Sequence, residues 1–350
     1  MKHVTIIDIA RLAGTSDTTV SRALRDDPRV SEATKERVRK AAAQLGYIPN
    51  VLARDLVRQR TQTIGLAIPH FGRSLHFPRL MASIANALFE NGYSSYLCIN
   101  QADPDREAEC LRSLLQRRVE GIIFVPMETS DSNLGLLKDI TAAGIPIVFL
   151  DRYIAGLDVP RVATDNYKGG ELVATHLLEL GHRSFAAPVG RVLTVTLEER
   201  IAGFAAAVAA HSTLKGLPKT FESPQGDIPT VVRKLMTQPE PPTAIFAPNE
   251  GILVETLLEL QRLGLRVPGD VSIVAFDEPS PAVDLYAQVT YIRQEVEEIG
   301  ARCVETMIEA IKRVREGHHG ERSASNKTGR QNILIMPRLV VRNSCTSPNR

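Results

Sequence analysis

Residues 4–50 read VTIIDIARLAGTSDTTVSRALRDDPRVSEATKERVRKAAAQLGYIPN. The apolar positions Ile6, Ile9, Ala10 and Ala13 recur with the period of one helix face. Thr5 is placed to cap that helix and Gly14 to end it. Ser16 can cap a second helix, Asp17 to Leu24, which buries Val20 and Leu24. The intervening Ala13-Gly14-Thr15-Ser16 has the length and the glycine of a helix-turn-helix. A third helix starts at Ser31, after Pro28, and stops at Gly46. Its apolar face is Ala33/Thr34, Val38, Ala41/Ala42 and Leu45. The expected core of this small all-α unit is Ile6, Ile9, Ala10, Leu12, Val20, Leu24, Val38 and Leu45.

The second helix of such a unit fits the major groove of DNA, about 12 Å wide, where base edges can be told apart. Its N-terminal face offers Asp17, Thr18, Ser21 and Arg22. Arg22 can pair bidentately with guanine, and the hydroxyls can reach phosphates or bases. A three-helix protein-binding bundle with a solvated basic face is the alternative, and composition leaves the two even. Charge adds a hint. Residues 1–60 hold 12 Lys and Arg against 7 Asp and Glu, whereas the remainder holds 30 against 33. A basic head on a near-neutral body is the footprint of a nucleic-acid-binding module attached to something else.

The whole chain has 350 residues, enough for two or three domains. Its 43% hydrophobic and 23% charged residues are those of soluble globular protein. No apolar run reaches the roughly 18–20 residues of a membrane span. The start, MKHVTIIDIARLAG, lacks a secretory h-region, so a cytoplasmic, nucleoid-associated address is expected. Cys98, Cys110, Cys303 and Cys345 are scattered, which argues for buried reduced thiols rather than disulfides or a zinc knuckle.

From Ile64 onward apolar runs alternate with amphipathic segments. Strands are expected at 64–68, 94–99, 121–125, 146–150, 161–164, 184–189, 244–247 and 271–276. Helices are expected near 78–90, 104–117, 132–143, 168–180, 197–210, 228–237, 250–263 and 294–315. Such alternation means α/β architecture with parallel sheets covered on both faces. Two doubly wound sheets suit the strand number better than one, though spacing alone leaves a barrel of eight β/α units open. The sequence holds no G-x-x-x-x-G-K-[ST], G-x-G-x-x-G after a strand, H-E-x-x-H or G-x-S-x-G. His318-His319 lie in a polar stretch with no third ligand at suitable spacing. No enzyme activity, metal or cofactor is expected.

The stretch Val4-Thr5-Ile6-Ile7-Asp8-Ile9-Ala10, Ala13-Gly14-Thr15-Ser16, Thr19-Val20-Ser21-Arg22, then Val30-Ser31 through Leu45-Gly46-Tyr47-Ile48-Pro49-Asn50, resembles the DNA-binding head of the lactose/galactose repressor family. In the body, Asn91-Gly92-Tyr93, Asp165-Asn166, Leu180-Gly181-His182-Arg183, Arg200-Ile201-Ala202-Gly203-Phe204, Phe276-Asp277 and Leu339-Val340-Val341-Arg342 extend the resemblance over almost the whole chain. It implies a head at 1–46, a hinge helix and linker at 47–60, a periplasmic-binding-protein type I-like core at 61–341, and a tail at 342–350. Lobe one would be about 61–162 plus 293–323, and lobe two about 163–292 plus 324–341. The implied DNA contacts are Thr5, Ser16, Asp17, Thr18, Thr19, Ser21, Arg22, Ser31, Tyr47, Asn50, Ala53, Arg54 and Leu56. Leu56 matches the family's wedge, which unstacks a central base step in the minor groove. Asp17, which either accepts from a cytosine amino group or caps its helix, and Asp55, where a small polar residue is usual, bear on which operator is read.

Ligands of two-lobed sheets sit at the carboxyl ends of the strands. Asp151 and Arg152, Asn249 and Asp277 follow expected strands. By resemblance these four, with Arg200, His76 and Phe77, form the effector site. Ile228 and Val296 stand where lactose-type members present aromatics, and Asn249-Glu250 replaces the more usual Asn-Asp. The implied effector is a sugar, sugar acid, polyol or phosphosugar, with a purine-like molecule the poorer match. The implied assembly is a homodimer on pseudo-palindromic double-stranded operator DNA, with no membrane partner. The implied mechanism is repression relieved by effector, and the opposite sign fits the same residues. A transport-type solute receptor shares the core fold but would carry an export signal in place of residues 1–60.

Overall fold

The computed structural model describes residues 4–47, 60–70, 75–127, 133–190, 194–211, 219–222 (backbone only), 227–317 and 332–348. The chain divides into two compact units, Met1–Thr61 and Gln62–Arg350.

The first unit holds α1 (Ile6–Ala13), α2 (Asp17–Ala23) and α3 (Glu32–Gln44). Local chemistry sets their ends. Thr5 and Asp8 form a reciprocal capping box on α1, and Gly14 ends it in the left-handed region at φ 62°. Ser16 and Ser31 cap α2 and α3 by accepting from the amides of Thr19 and Thr34. Ile9, Ala10, Ala13, Val20, Ala23, Val38, Ala41 and Ala42 form the core, with Ile6, Leu24, Leu45 and Tyr47 packed at its margin. Leu12, expected inside, is 48% exposed. The buried face of α1 follows 6, 9, 10 and 13, which turns position 12 toward solvent. Replacing Ser31 with alanine should cost about 1 kcal/mol of head stability, read as a lower midpoint when the head is melted.

The second unit contains two six-stranded sheets. Sheet one runs β11-β5-β4-β3-β1-β2, built from β1 (Thr63–Ile68), β2 (Ser94–Ile99), β3 (Gly121–Phe124), β4 (Ile147–Leu150), β5 (Arg161–Thr164) and β11 (Asn332–Ile335). All its neighbours are parallel. Helices α4 (His76–Glu90) and α12 (Val296–Arg315) supply one covering core, whose members include Ile84, Leu88, Ile299 and Met307. Helices α5 (Pro104–Gln116) and α6 (Leu134–Ala142) supply the other, with Leu111, Leu114, Leu137 and Ile140.

Sheet two runs β12-β10-β9-β8-β6-β7, built from β6 (Phe185–Val189), β7 (Lys219–Glu222), β8 (Ala244–Ala247), β9 (Ser272–Phe276), β10 (Thr290–Arg293) and β12 (Arg338–Val340). Only β12 is antiparallel to its neighbour. Helices α7 (Asn166–Glu179) and α8 (Val195–Ala210) cover one face. Helices α9 (Ile228–Met236) and α10 (Glu250–Arg262) cover the other, and the short α11 (Pro281–Tyr286) follows β9. Gly170 and Gly203 let α7 and α8 touch backbone to backbone. A Cβ at Gly203 would lie 1.9 Å from the Tyr167 carbonyl oxygen, and one at Gly170 2.0 Å from that of Arg200.

The chain crosses between the sheets after β5, after β10 and between β11 and β12. The last crossing corrects one boundary. Residues 332–335, expected in lobe two, pair in parallel with Arg161–Thr164 of sheet one, so the chain changes lobe at 336–337. Residues 343–346, set apart above as a tail, are hydrogen-bonded to the second sheet through Ser344 and Thr346 on Ile273 and Ser272. Of the cysteines only Cys303 is fully buried, and burial pushes its thiol up to about 12; the other three are half-buried.

Candidate nucleic-acid interface and interlobe cleft

In the head, Asp17, Thr18, Ser21 and Arg22 share one shallow surface with Ile6, Ile7, Arg25 and Arg29. Ser16 rather than Asp17 caps α2. The Asp17 carboxylate accepts from the Thr18 amide at 2.6 Å and from its hydroxyl at 3.2 Å, so it is drawn back onto its own first turn. Thr5, Ser16 and Ser31 each cap a helix, and Thr19 bonds Ser16 at 2.8 Å, so these hydroxyls sit where helix N-termini favour anions. Tyr47 packs on the head core. Asn50, Ala53, Arg54 and Leu56, and with them the hinge helix, lie outside the described residues, as do His318 and His319. Arg25 was not foreseen: it donates to the Ser21 carbonyl at 3.1 Å and to the Ser21 hydroxyl, adding a cation to the face of Arg22. Its signal was present in the i, i+3 spacing of Arg22 and Arg25.

In the core, Asp151 follows β4 and Asp277 follows β9, each at the carboxyl end of a central strand and one in each lobe. Both are buried, and both hold a left-handed backbone, at φ 65° and 80°. Non-glycine residues adopt that region at a cost and cluster at binding sites. Arg200, on the first turns of α8, feels the charge of both. Burial pushes its pKa down, while Asp277 and then Asp151 oppose the shift. Its Nε donates to Asn166 Oδ1 at 2.8 Å, its Nη1 donates to the Pro248 carbonyl at 2.8 Å, and Nη1 stands 3.8 Å from Asp277 Oδ2. The guanidinium also lies 3.7 Å above the centre of the Phe276 ring. Arg152 is nearly buried, with Nε 3.6 Å from Asp151 Oδ2.

Asn249 caps α10, its Oδ1 accepting from the Ile252 amide at 2.8 Å, which leaves its NH2 as the group with donors to spend. His76 lines a small cavity with Asp277, Gln294, Arg79, Glu278 and Val296. Phe77 stacks edge-on against His76 but leans on the core of lobe one. Ile228 belongs to the core of lobe two. Two residues absent from the expected site bond directly to its members: Asn166 to Arg200, and Gln294 to Asp277. No group of three or more His, Cys, Asp or Glu able to hold a metal occurs among the described residues, and no described helix is long and apolar enough to cross a membrane.

A helix-turn-helix head joined to a two-lobed α/β core defines a DNA-binding transcriptional regulator. Comparison agrees. Residues 5–50 match the bacterial regulatory proteins of the lacI family, and residues 174–345 match the periplasmic binding protein-like domain. The HTH-type transcriptional regulator DegA of Bacillus subtilis is 31% identical over 98% of this chain and 98% of its own. The HTH-type transcriptional repressor PurR of Aliivibrio salmonicida is 30% identical over 91% and 94%. The lac repressor dimer bound to operator and the anti-inducer ONPF shares the fold, with a TM-score of 0.82 over 99% of this chain and 100% of that one at 24% identity. The chain belongs to the lacI family of bacterial regulatory proteins.

Proposed function

We propose that this protein is an intracellular repressor that binds a pseudo-palindromic operator as a homodimer and releases it when a small polyhydroxylated effector, a sugar, sugar acid, polyol or phosphosugar, enters the interlobe cleft. One observation carries the effector class. In lobe two the buried Asp277 stands 3.8 Å from the buried Arg200 guanidinium, and a buried Asp151 ends the matching strand of lobe one; carboxylates beside an arginine are the acceptor and donor set that vicinal hydroxyls need. The effector acts through its different affinity for two lobe arrangements. With transcriptional repressors named PurR among the relatives, a second reading is a purine-like corepressor that tightens the grip on DNA.

The test is selection from a pool of random duplexes by the full-length protein, with and without a library of sugars, sugar phosphates and purines. The expected result is a palindromic site whose affinity falls steeply with salt and weakens with one sugar-type compound. Tightening with a purine selects the second reading. No enriched site, with tight small-molecule binding, overturns the regulator reading of this cleft. On the selected operator, Arg22→Ala should cost about 1–3 kcal/mol and relax the base preference at one position per half-site, measured by titration against singly substituted duplexes.

A further inference from the structure

The two lobes are joined by an ion pair that touches the candidate site on both sides. Arg161 belongs to β5, a strand buried along its whole length, and is itself 4% exposed. Its Nε and Nη2 donate to the Asp151 carbonyl at 3.1 and 2.8 Å, and its guanidinium lies 4.8 Å from the centre of the Tyr153 ring, all within lobe one. The same guanidinium forks across to lobe two. Nη1 donates to Glu199 Oε1 at 3.1 Å and Nη2 to Oε2 at 3.2 Å. Glu199 is the residue before Arg200 on α8. Asn166 closes the circuit: its Nδ2 donates to Glu199 Oε2 at 3.1 Å, while its Oδ1 receives Arg200. Asp277 reaches the same crossover by another route, through Gln294 to the Thr164 hydroxyl.

We propose that Arg161 and Glu199 are the positioning pair through which occupancy of the cleft sets the angle between the lobes. This rests on the cleft being the effector site. A ligand that draws on Arg200 or displaces Asp151 strains hydrogen bonds whose other ends lie in the opposite lobe. A forked guanidinium–carboxylate contact is directional, so it tolerates one lobe angle and not a range of them. Neither residue needs to touch the ligand.

The experiment uses full-length protein carrying donor and acceptor dyes on unnatural amino acids at positions 90 and 240, exposed sites on lobe one and lobe two. Energy transfer reports the interlobe distance without any effector. The wild type should give one narrow distribution. Glu199→Gln and Arg161→Gln should each broaden or split it, and the double variant should be no worse than either single one, because both act through one contact. A lowered melting temperature with an unchanged distribution, or additive effects, overturns the proposal. D-galactose, D-gluconate, D-fructose 1-phosphate and hypoxanthine are then titrated. A compound that moves the wild-type distance should change operator affinity by a factor that shrinks about tenfold toward unity in Glu199→Gln; an undiminished factor overturns the coupling role. If none of the four moves the wild type, it is the effector reading that fails for these compounds, while the ligand-free distances still decide the pair.

Discussion

Arg200→Met should destabilise the core by about 3–5 kcal/mol, the cost of removing one partner from a buried charged cluster. The change strands the Pro248 carbonyl and Asn166 Oδ1, which each receive a 2.8 Å bond from this side chain, and removes the cation nearest Asp277. Methionine retains the contact with Phe276, so the loss is electrostatic and polar rather than steric. Urea unfolding followed by circular dichroism measures it, and a loss under about 1 kcal/mol would contradict the buried-cluster account. Arg200→Lys keeps the charge but offers a single point donor where two directions are needed. Its stability should fall between that of the wild type and that of Arg200→Met, and the effector response proposed above should be lost.

Gly203→Ala is the second large effect expected. The new methyl would sit 1.9 Å from the Tyr167 carbonyl oxygen and 2.7 Å from its carbon, and backbone atoms cannot swing aside as a side chain does. α7 and α8 must separate, at about 3 kcal/mol or more, the upper end of overpacking costs. The damage reaches the cleft, because α8 carries Glu199 and Arg200 and α7 begins at Asn166. Gly135→Ala in α6 is the control, since its Cβ meets nothing within 4 Å and its φ is ordinary. That variant should be neutral or gain up to about 1 kcal/mol.

The head was legible because its determinants are local. Thr5, Ser16, Ser31 and Gly14 act on amides within a few residues, and each ends a helix where the sequence placed it. The central strands were legible for a related reason: a strand buried on both faces announces itself as an apolar run, as at Ile147–Leu150. The rest depended on partners far along the chain. Asn332–Ile335 reads as four ordinary residues, and its place in sheet one is set by pairing with residues some 170 positions earlier. The strands at 219–222 and 290–293 are equally short, and neither was foreseen. In the candidate site, Asp151, Asn249 and Asp277 are legible from their position after strands. Arg161 and Glu199 are not, because a charge inside a strand or on a helix carries no signal until the other lobe is in view.

The late return of β11 and β12 to the two sheets has a consequence for the protein during its synthesis. Sheet one lacks its edge strand β11 until Asn332–Ile335 has emerged from the ribosome, and sheet two lacks β12 and the Ser344 staple until a few residues later. The helical head, by contrast, has its core between Ile6 and Tyr47 and can close as soon as those residues are free. A nascent chain therefore carries a finished head long before either lobe is complete, and truncated products of translation would present that head without a finished core to govern it.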